Sequence, residues 1–231
     1  MVAAIGYTLS SEEHGPRELV RYAQRAEQAD FDFASISDHF HPWVDKQGNS
    51  PFVWAVLGGI AEATERLRVG TGVTCPTTRI HPAIVAHAAA TAAAMLPGRF
   101  FLGVGSGENL NEHILGDRWP ETAVRQEMLE EAIEVIRLLW SEEHSVSFDH
   151  RYYRLDGARA GPQPAHAIGI WVGAFKPRML RLVGRKADGW LPSLGVLTRD
   201  ELRAGTSRST RPPGRRVVTR ARSGGSSTCR A

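Results

Sequence analysis

Residues 97–112 read Pro-Gly-Arg-Phe-Phe-Leu-Gly-Val-Gly-Ser-Gly-Glu-Asn-Leu-Asn-Glu. A Pro-Gly turn opens the segment, and the apolar run at 100–104 has the length of a buried strand. That run empties into glycines and then into Glu108 and Asn111. The glycine spacing is G-x-G-x-G, no helical pattern begins at once, and no acidic residue follows at a strand end about twenty residues on. A dinucleotide-binding fingerprint is therefore rejected. What remains is a buried strand whose carboxyl end feeds a polar loop, with Glu108 weighed against the commoner fate of a solvated loop acid.

The same pattern recurs in both directions along the chain. Short apolar runs at 3–9, 33–37, 67–73, 168–173 and 189–191 predict further strands. Amphipathic runs at 16–29, 52–64, 82–95, 123–140 and 177–185 predict the intervening helices. The helix over 123–140 places Met128, Leu129, Ala132, Ile133, Val135, Ile136 and Leu139 on one broad apolar face. Residues 146–155 read as a hairpin with Asp149-His150 at its turn. Repeated β-α units predict an α/β fold with a parallel sheet. Pattern alone leaves a doubly wound sheet and a (β/α) barrel open. The TIM-type barrel is favoured, because chemically suggestive residues follow several different strands. Six of the eight units of such a barrel are counted, so it reads as incomplete and C-terminally truncated or frameshifted.

The chain has 231 residues, 42% of them apolar and 23% charged, which suits one soluble domain with a sizeable core. The two cysteines, Cys75 and Cys229, offer no disulfide framework. No signal peptide is read at the start, and the most apolar stretch, 83–96, is too short and interrupted to span a bilayer. A cytoplasmic protein with no membrane partner is expected. The net charge of +3 comes from the tail: residues 204–231 hold seven arginines and no acid, and without them 21 basic residues face 25 acidic ones. No nucleic-acid partner is expected from that distribution. The domain reading is residues 1–203 as the partial barrel and 204–231 as a disordered Arg/Ser/Gly-rich tail, since its only large aliphatics are Val217 and Val218.

The second strand ends in Ser37-Asp38-His39-Phe40-His41-Pro42-Trp43, a titratable cluster placed for the mouth of a barrel. His39 ordinarily titrates near neutrality and so can take or give a proton. A metal pair made by His39 and His41 needs further ligands after later strands. Gly173-Ala174-Phe175 and Pro192-Ser193 supply no histidine, so no metal site is assigned. The third strand runs into Gly70-Thr71-Gly72-Val73-Thr74-Cys75-Pro76-Thr77-Thr78-Arg79, whose glycines suit close approach of a backbone or ligand.

Together, the segments at 37–43, 70–79 and 97–112 resemble the luciferase-like monooxygenase superfamily. They are most similar to its branch typified by F420-dependent glucose-6-phosphate dehydrogenase. The resemblance runs from about Ile5 to Arg203 and includes Trp119-Pro-Glu121 and 148–155. It implies an F420-dependent oxidoreductase that moves a hydride between a small alcohol-type substrate and the deazaflavin. Implied catalytic residues are His39 as base, Trp43 at the reaction centre and Glu108 as the acid. Implied cofactor contacts are Asp38, Gly72, Val73, Thr74, Asn111, Gly173 and Ala174, with a non-prolyl cis peptide at Gly72-Val73. Family members are often dimers, so a homodimer is compatible.

Two departures bear on function. Residues 192–196 lack the lysine that helps hold the substrate phosphate in the glucose-6-phosphate enzyme, so that substrate is not supported. After the fifth long strand stand Phe175 and Lys176, the first narrowing the cofactor phosphate site and the second supporting it by charge. An FMN-dependent member of the same superfamily and an inactive remnant are the alternatives to an F420 enzyme.

Overall fold

The computed structural model describes residues 4–141, 145–193, 197–209 and 221–222. Six strands alternate with helices: β1 Gly6–Leu9, β2 Phe33–Ile36, β3 Arg68–Thr71, β4 Phe100–Val104, β7 Gly169–Gly173 and β8 Gly189–Leu191. The helices between them are α1 Pro16–Gln28, α2 Val53–Ala63, α3 Pro82–Met95, α4 Asn109–Glu112, α5 Thr122–Leu139 and α6 Pro177–Lys186. A hairpin of β5 Val146–Asp149 and β6 Arg154–Ala158 stands apart from the main sheet. Its turn falls after Asp149 and before Arg154, later than the expected Asp149-His150.

The sheet runs β8-β7-β4-β3-β2-β1, and every pairing in it is parallel. Each strand of the sheet lies beside the next one in sequence. A doubly wound sheet reverses its order at a switch point, so this winding is that of a (β/α) barrel. Beyond β1 lies the two-residue β9, Ala221–Arg222, which pairs in parallel with Gly6 and Tyr7. A last helix, α7, spans Arg199–Ser209 and so passes the boundary expected at residue 203. Its entry is a capping box: the Glu201 amide donates to Thr198 Oγ1 at 3.2 Å, and the Thr198 amide donates to Glu201 Oε2 at 2.9 Å. The remainder of the tail read as disordered lies outside the described residues.

Alternation along the strands sorts the side chains into two layers. Ala34, Ile36, Leu102, Val104, Ile170 and Val172 face the helices and join one core with Leu57, Ile60, Ile133 and Ile136. The apolar face expected on α5 is the buried one, with Met128 only partly covered. On the concave face Phe33, Phe101 and Trp171 form a second cluster. Each ring occupies the space a Cβ would take on a glycine of the adjoining strand: Phe33 at Gly6, Phe101 at Gly70, Trp171 at Gly189. Aromatic area thus fills the narrow lumen where larger paired side chains would collide.

Candidate functional site

A cavity of about 260 Å³ opens at the carboxyl ends of β2, β3, β4 and β7. Its wall brings together Asp38, His39, Val73, Glu108, Asn111, Gly173 and Ala174, seven of the ten residues singled out in the sequence. It also includes Cys75, Glu112, Gln126, Phe175, Lys176 and Met179. The other three stand behind or beside the wall. Trp43 lies against the edge of the His39 ring, centroids 4.8 Å apart. Thr74 is buried and donates its hydroxyl to Asp38 Oδ2 at 2.7 Å. Gly72 is exposed just past the end of β3, and the Gly72–Val73 peptide is cis. A roomier hollow of about 450 Å³ between α1 and α2 has, among the described residues, Arg17 as its one charged lining residue. Size alone would favour that hollow; the convergent titratable groups favour the strand-end cavity.

His39 is positioned by a residue that the sequence reading missed. Glu12, just past β1, is 3% exposed, and its Oε1 lies 2.6 Å from His39 Nδ1. Its Oε2 accepts from Ser37 at 2.9 Å and from Ser10 at 3.0 Å. Burial alone would raise the Glu12 pKa. The His39 ring, the residue's own amide and the Ser37 hydroxyl outweigh it, and the net shift is downward. A carboxylate on Nδ1 leaves Nε2 as the nitrogen that can work on a ligand. The available signal was that Glu12 also follows a strand end, which is where barrel chemistry collects.

Glu108 is the N-cap residue of α4, its backbone extended and its carbonyl accepting from the Asn111 and Glu112 amides. The residue is exposed overall and lines the cavity, where desolvation pushes its pKa up against the opposing influence of His39. Two carboxyl groups near one imidazole are thus driven apart: Glu12 toward the ionised form, Glu108 toward the protonated one.

Asn111, 2% exposed, spans the gap between loops. Its Oδ1 accepts from the Phe40 and His41 amides at 2.8 and 2.9 Å. Its buried Nδ2 has no partner among the described residues, a donor left over beside the cavity. Below, Asp38 and Glu112 share Arg79, 3.2 Å from Asp38 Oδ1 and 3.4 Å from Glu112 Oε1. Burial and then the Arg79 and Cys75 contacts act in opposite senses on Glu112, and the net shift is upward. Cys75 is buried beside Glu112 and Thr77, and its thiol is pushed up to about 12, which makes it a poor nucleophile. Among the described residues, no group of three or more His, Cys, Asp or Glu could hold a metal ion, and no helix is long and apolar enough to cross a membrane.

A parallel sheet wound in barrel order, with titratable groups gathered at the strands' carboxyl ends, is the arrangement of a (β/α) barrel and its strand-end site. The luciferase-like monooxygenase family model matches residues 2–222, and the chain belongs to that family. It is 44% identical over 194 residues to the F420-dependent glucose-6-phosphate dehydrogenase of Intrasporangium calvum, covering 83% of this chain and 58% of that protein. It is 40% identical over 215 residues to the F420-dependent hydroxymycolic acid dehydrogenase of Mycobacterium tuberculosis, covering 93% of this chain and 59% of that protein. Among solved structures, an F420-dependent secondary alcohol dehydrogenase in complex with an F420-acetone adduct superposes with a TM-score of 0.82 at 34% identity. That match covers 90% of this chain and 65% of that one. The chain therefore spans less than two thirds of the length of these relatives.

Proposed function

We propose that this chain carries the cofactor and proton-transfer site of an F420-dependent oxidoreductase acting on a small alcohol-type substrate. The observation that carries the reading is the meeting of His39 and Glu108 on one cavity, with Glu12 behind the imidazole. The wall fits a deazaflavin: Asn111 has a buried amide donor with no partner among the described residues, Lys176 offers a cation, and Gly105, Gly107 and Gly173 line the cavity without side chains. Bound there, the deazaflavin supplies the atom that accepts or returns a hydride. His39 Nε2 takes the hydroxyl proton of the substrate, and Glu12 stabilises the imidazolium that results. Glu108, on the cavity wall, would be the carboxyl placed to supply a proton where negative charge would otherwise collect on the cofactor edge. Trp43 flanks the His39 ring beside the cavity and so limits how that ring can turn. Asp38, Val73, Asn111, Gly173 and Ala174 would hold the cofactor, with Gly72 and Thr74 beside them.

The names of the relatives support an alcohol oxidation, since two of them act on alcohol-bearing substrates. Glucose 6-phosphate is not proposed, because 192–196 carry no lysine to receive a phosphate. The test is an absorbance titration with F420 and with FMN, followed by F420 reduction with a panel of secondary alcohols. Saturable F420 binding and alcohol-dependent bleaching of the deazaflavin band are expected. Tighter binding of FMN, or no binding of either, would overturn the assignment. The same reading extends to a homodimer in the cytoplasm; sedimentation at the monomer mass would remove the dimer.

A further inference from the structure

We infer that Arg79 is the positioning residue of this site, and the inference rests on the cofactor assignment above. One buried guanidinium ties the loop after β2 to the helix after β4, and so holds His39 and Glu108 on a common cavity. The need for such a tie follows from the length of α4. Its four residues, Asn109–Glu112, make a single turn, far below what an isolated helix requires to persist in water. Yet this turn carries Asn111 and begins at Glu108, two of the groups on which the site depends. Its anchor is Glu112, 1% exposed. Glu112 Oε2 accepts the Arg79 backbone amide at 2.8 Å, while Arg79 Nε reaches Oε1 at 3.4 Å.

The same guanidinium turns its Nη2 to Asp38 Oδ1 at 3.2 Å, and Asp38 precedes His39 directly. Thr74 holds the other oxygen of Asp38, and Asn111 Oδ1 clips the next two amides, those of Phe40 and His41. The loop that carries Arg79 is itself braced from outside, by the buried Tyr153 hydroxyl of the hairpin donating to the Thr77 carbonyl at 3.1 Å. Three loops therefore meet at one side chain that is 7% exposed. A rigid planar fork can serve two carboxylates set apart in direction; a lysine ammonium supplies the same charge without that geometry.

The test uses Arg79→Lys, Arg79→Met and Glu112→Gln in the full chain, with two readouts. One is F420 affinity, from quenching of the cofactor's fluorescence. The other, independent of cofactor, is hydrogen exchange at the Phe40 and His41 amides. Arg79→Lys is expected to keep a cooperative unfolding transition but to weaken F420 binding roughly 10- to 100-fold, the range in which misplaced supporting groups act. It is also expected to speed exchange at both amides by about tenfold or more. Affinity and exchange both within about twofold of the parent would overturn the inference, since charge alone would then suffice. Should Arg79→Met fail to fold, Glu112→Gln decides, because it keeps the Arg79–Asp38 pair; faster exchange supports the tie and unchanged exchange overturns it. A parent chain that binds no F420 would sink the cofactor assignment, and the exchange readout would still judge Arg79.

Discussion

Two sets of ion pairs in this molecule look alike by distance and differ in everything else. Between α5 and the segment from α6 to the start of β8 runs an exposed ladder: Glu130–Arg185 at 2.9 Å, Glu134–Lys186 at 2.8 Å and Arg137–Asp188 at 2.8 Å. At the strand ends the contacts are no shorter on average, with Asp38–Arg79 at 3.2 Å, Glu112–Arg79 at 3.4 Å and Glu12–His39 at 2.6 Å. The ladder's side chains are 31–55% exposed, whereas those of the Arg79 pairs are 1–7% exposed. Water and salt therefore weaken the first set, and its members contribute about 0–1 kcal/mol each. In the Arg79 pairs little screening or rehydration is available, so losing one partner strands a buried charge. Burial, not distance, separates pairs that decorate a surface from pairs that fix a site.

The comparison can be broken first at the proton-transfer residues, where the largest effects are expected. His39→Ala and Glu108→Gln should each cut alcohol-dependent F420 reduction by about 10²–10⁴-fold, the span of a positioned acid or base. Next comes Glu12→Ala, which leaves His39 Nδ1 and the Ser37 hydroxyl without their partner. A stability loss of about 1–3 kcal/mol by urea unfolding is expected. The sign with pH is fixed by the downward shift at Glu12. Its contribution is present above the ordinary carboxylate value of about 4.3 and disappears as pH falls through the lower folded value, so the difference between parent and variant should shrink on acidification.

Glu108 is expected to behave in the opposite way. Its folded pKa is raised, so its contribution is complete below about pH 4.3 and is lost as pH rises through the folded value. At neutral pH the carboxylate is a net cost to the fold. Glu108→Gln should therefore unfold at a higher temperature than the parent at pH 7, while losing turnover; a lower melting temperature there would contradict the burial argument. The smallest effect belongs to the ladder. Glu134→Ala should change stability by no more than about 0.5 kcal/mol, and raising the salt should erase even that.

The same contrast explains what could be read from the sequence. Strand and helix periodicity located β1 to β4, β7 and β8, because a parallel sheet buried on both faces demands continuous apolar runs. The (β/α) winding was legible through polar residues after several strands, and His39, Glu108 and Asn111 were named that way. Glu12 and Arg79 were not. Glu12 lies 27 positions from its partner His39, and Arg79 lies 41 from Asp38 and 33 from Glu112, so neither pairing leaves a local pattern. Arg79 stood inside a quoted motif as one more basic residue, and its burial came only with the fold. The extension of α7 to Ser209 was missed for the converse reason: the polar composition of 204–209 predicted no packing, while the capping box at Thr198 starts a helix that continues through it.

Carboxyl-detected NMR across a pH titration, with Glu12 and Glu108 assigned through Glu12→Gln and Glu108→Gln, reads the proton-transfer assignment at its source. Glu12 is expected to titrate below the ordinary glutamate range and Glu108 above it, in the same molecule and beside the same imidazole. Two carboxyls titrating together near about 4.3 would contradict it, and the division of labour between His39 and Glu108 would fall with them.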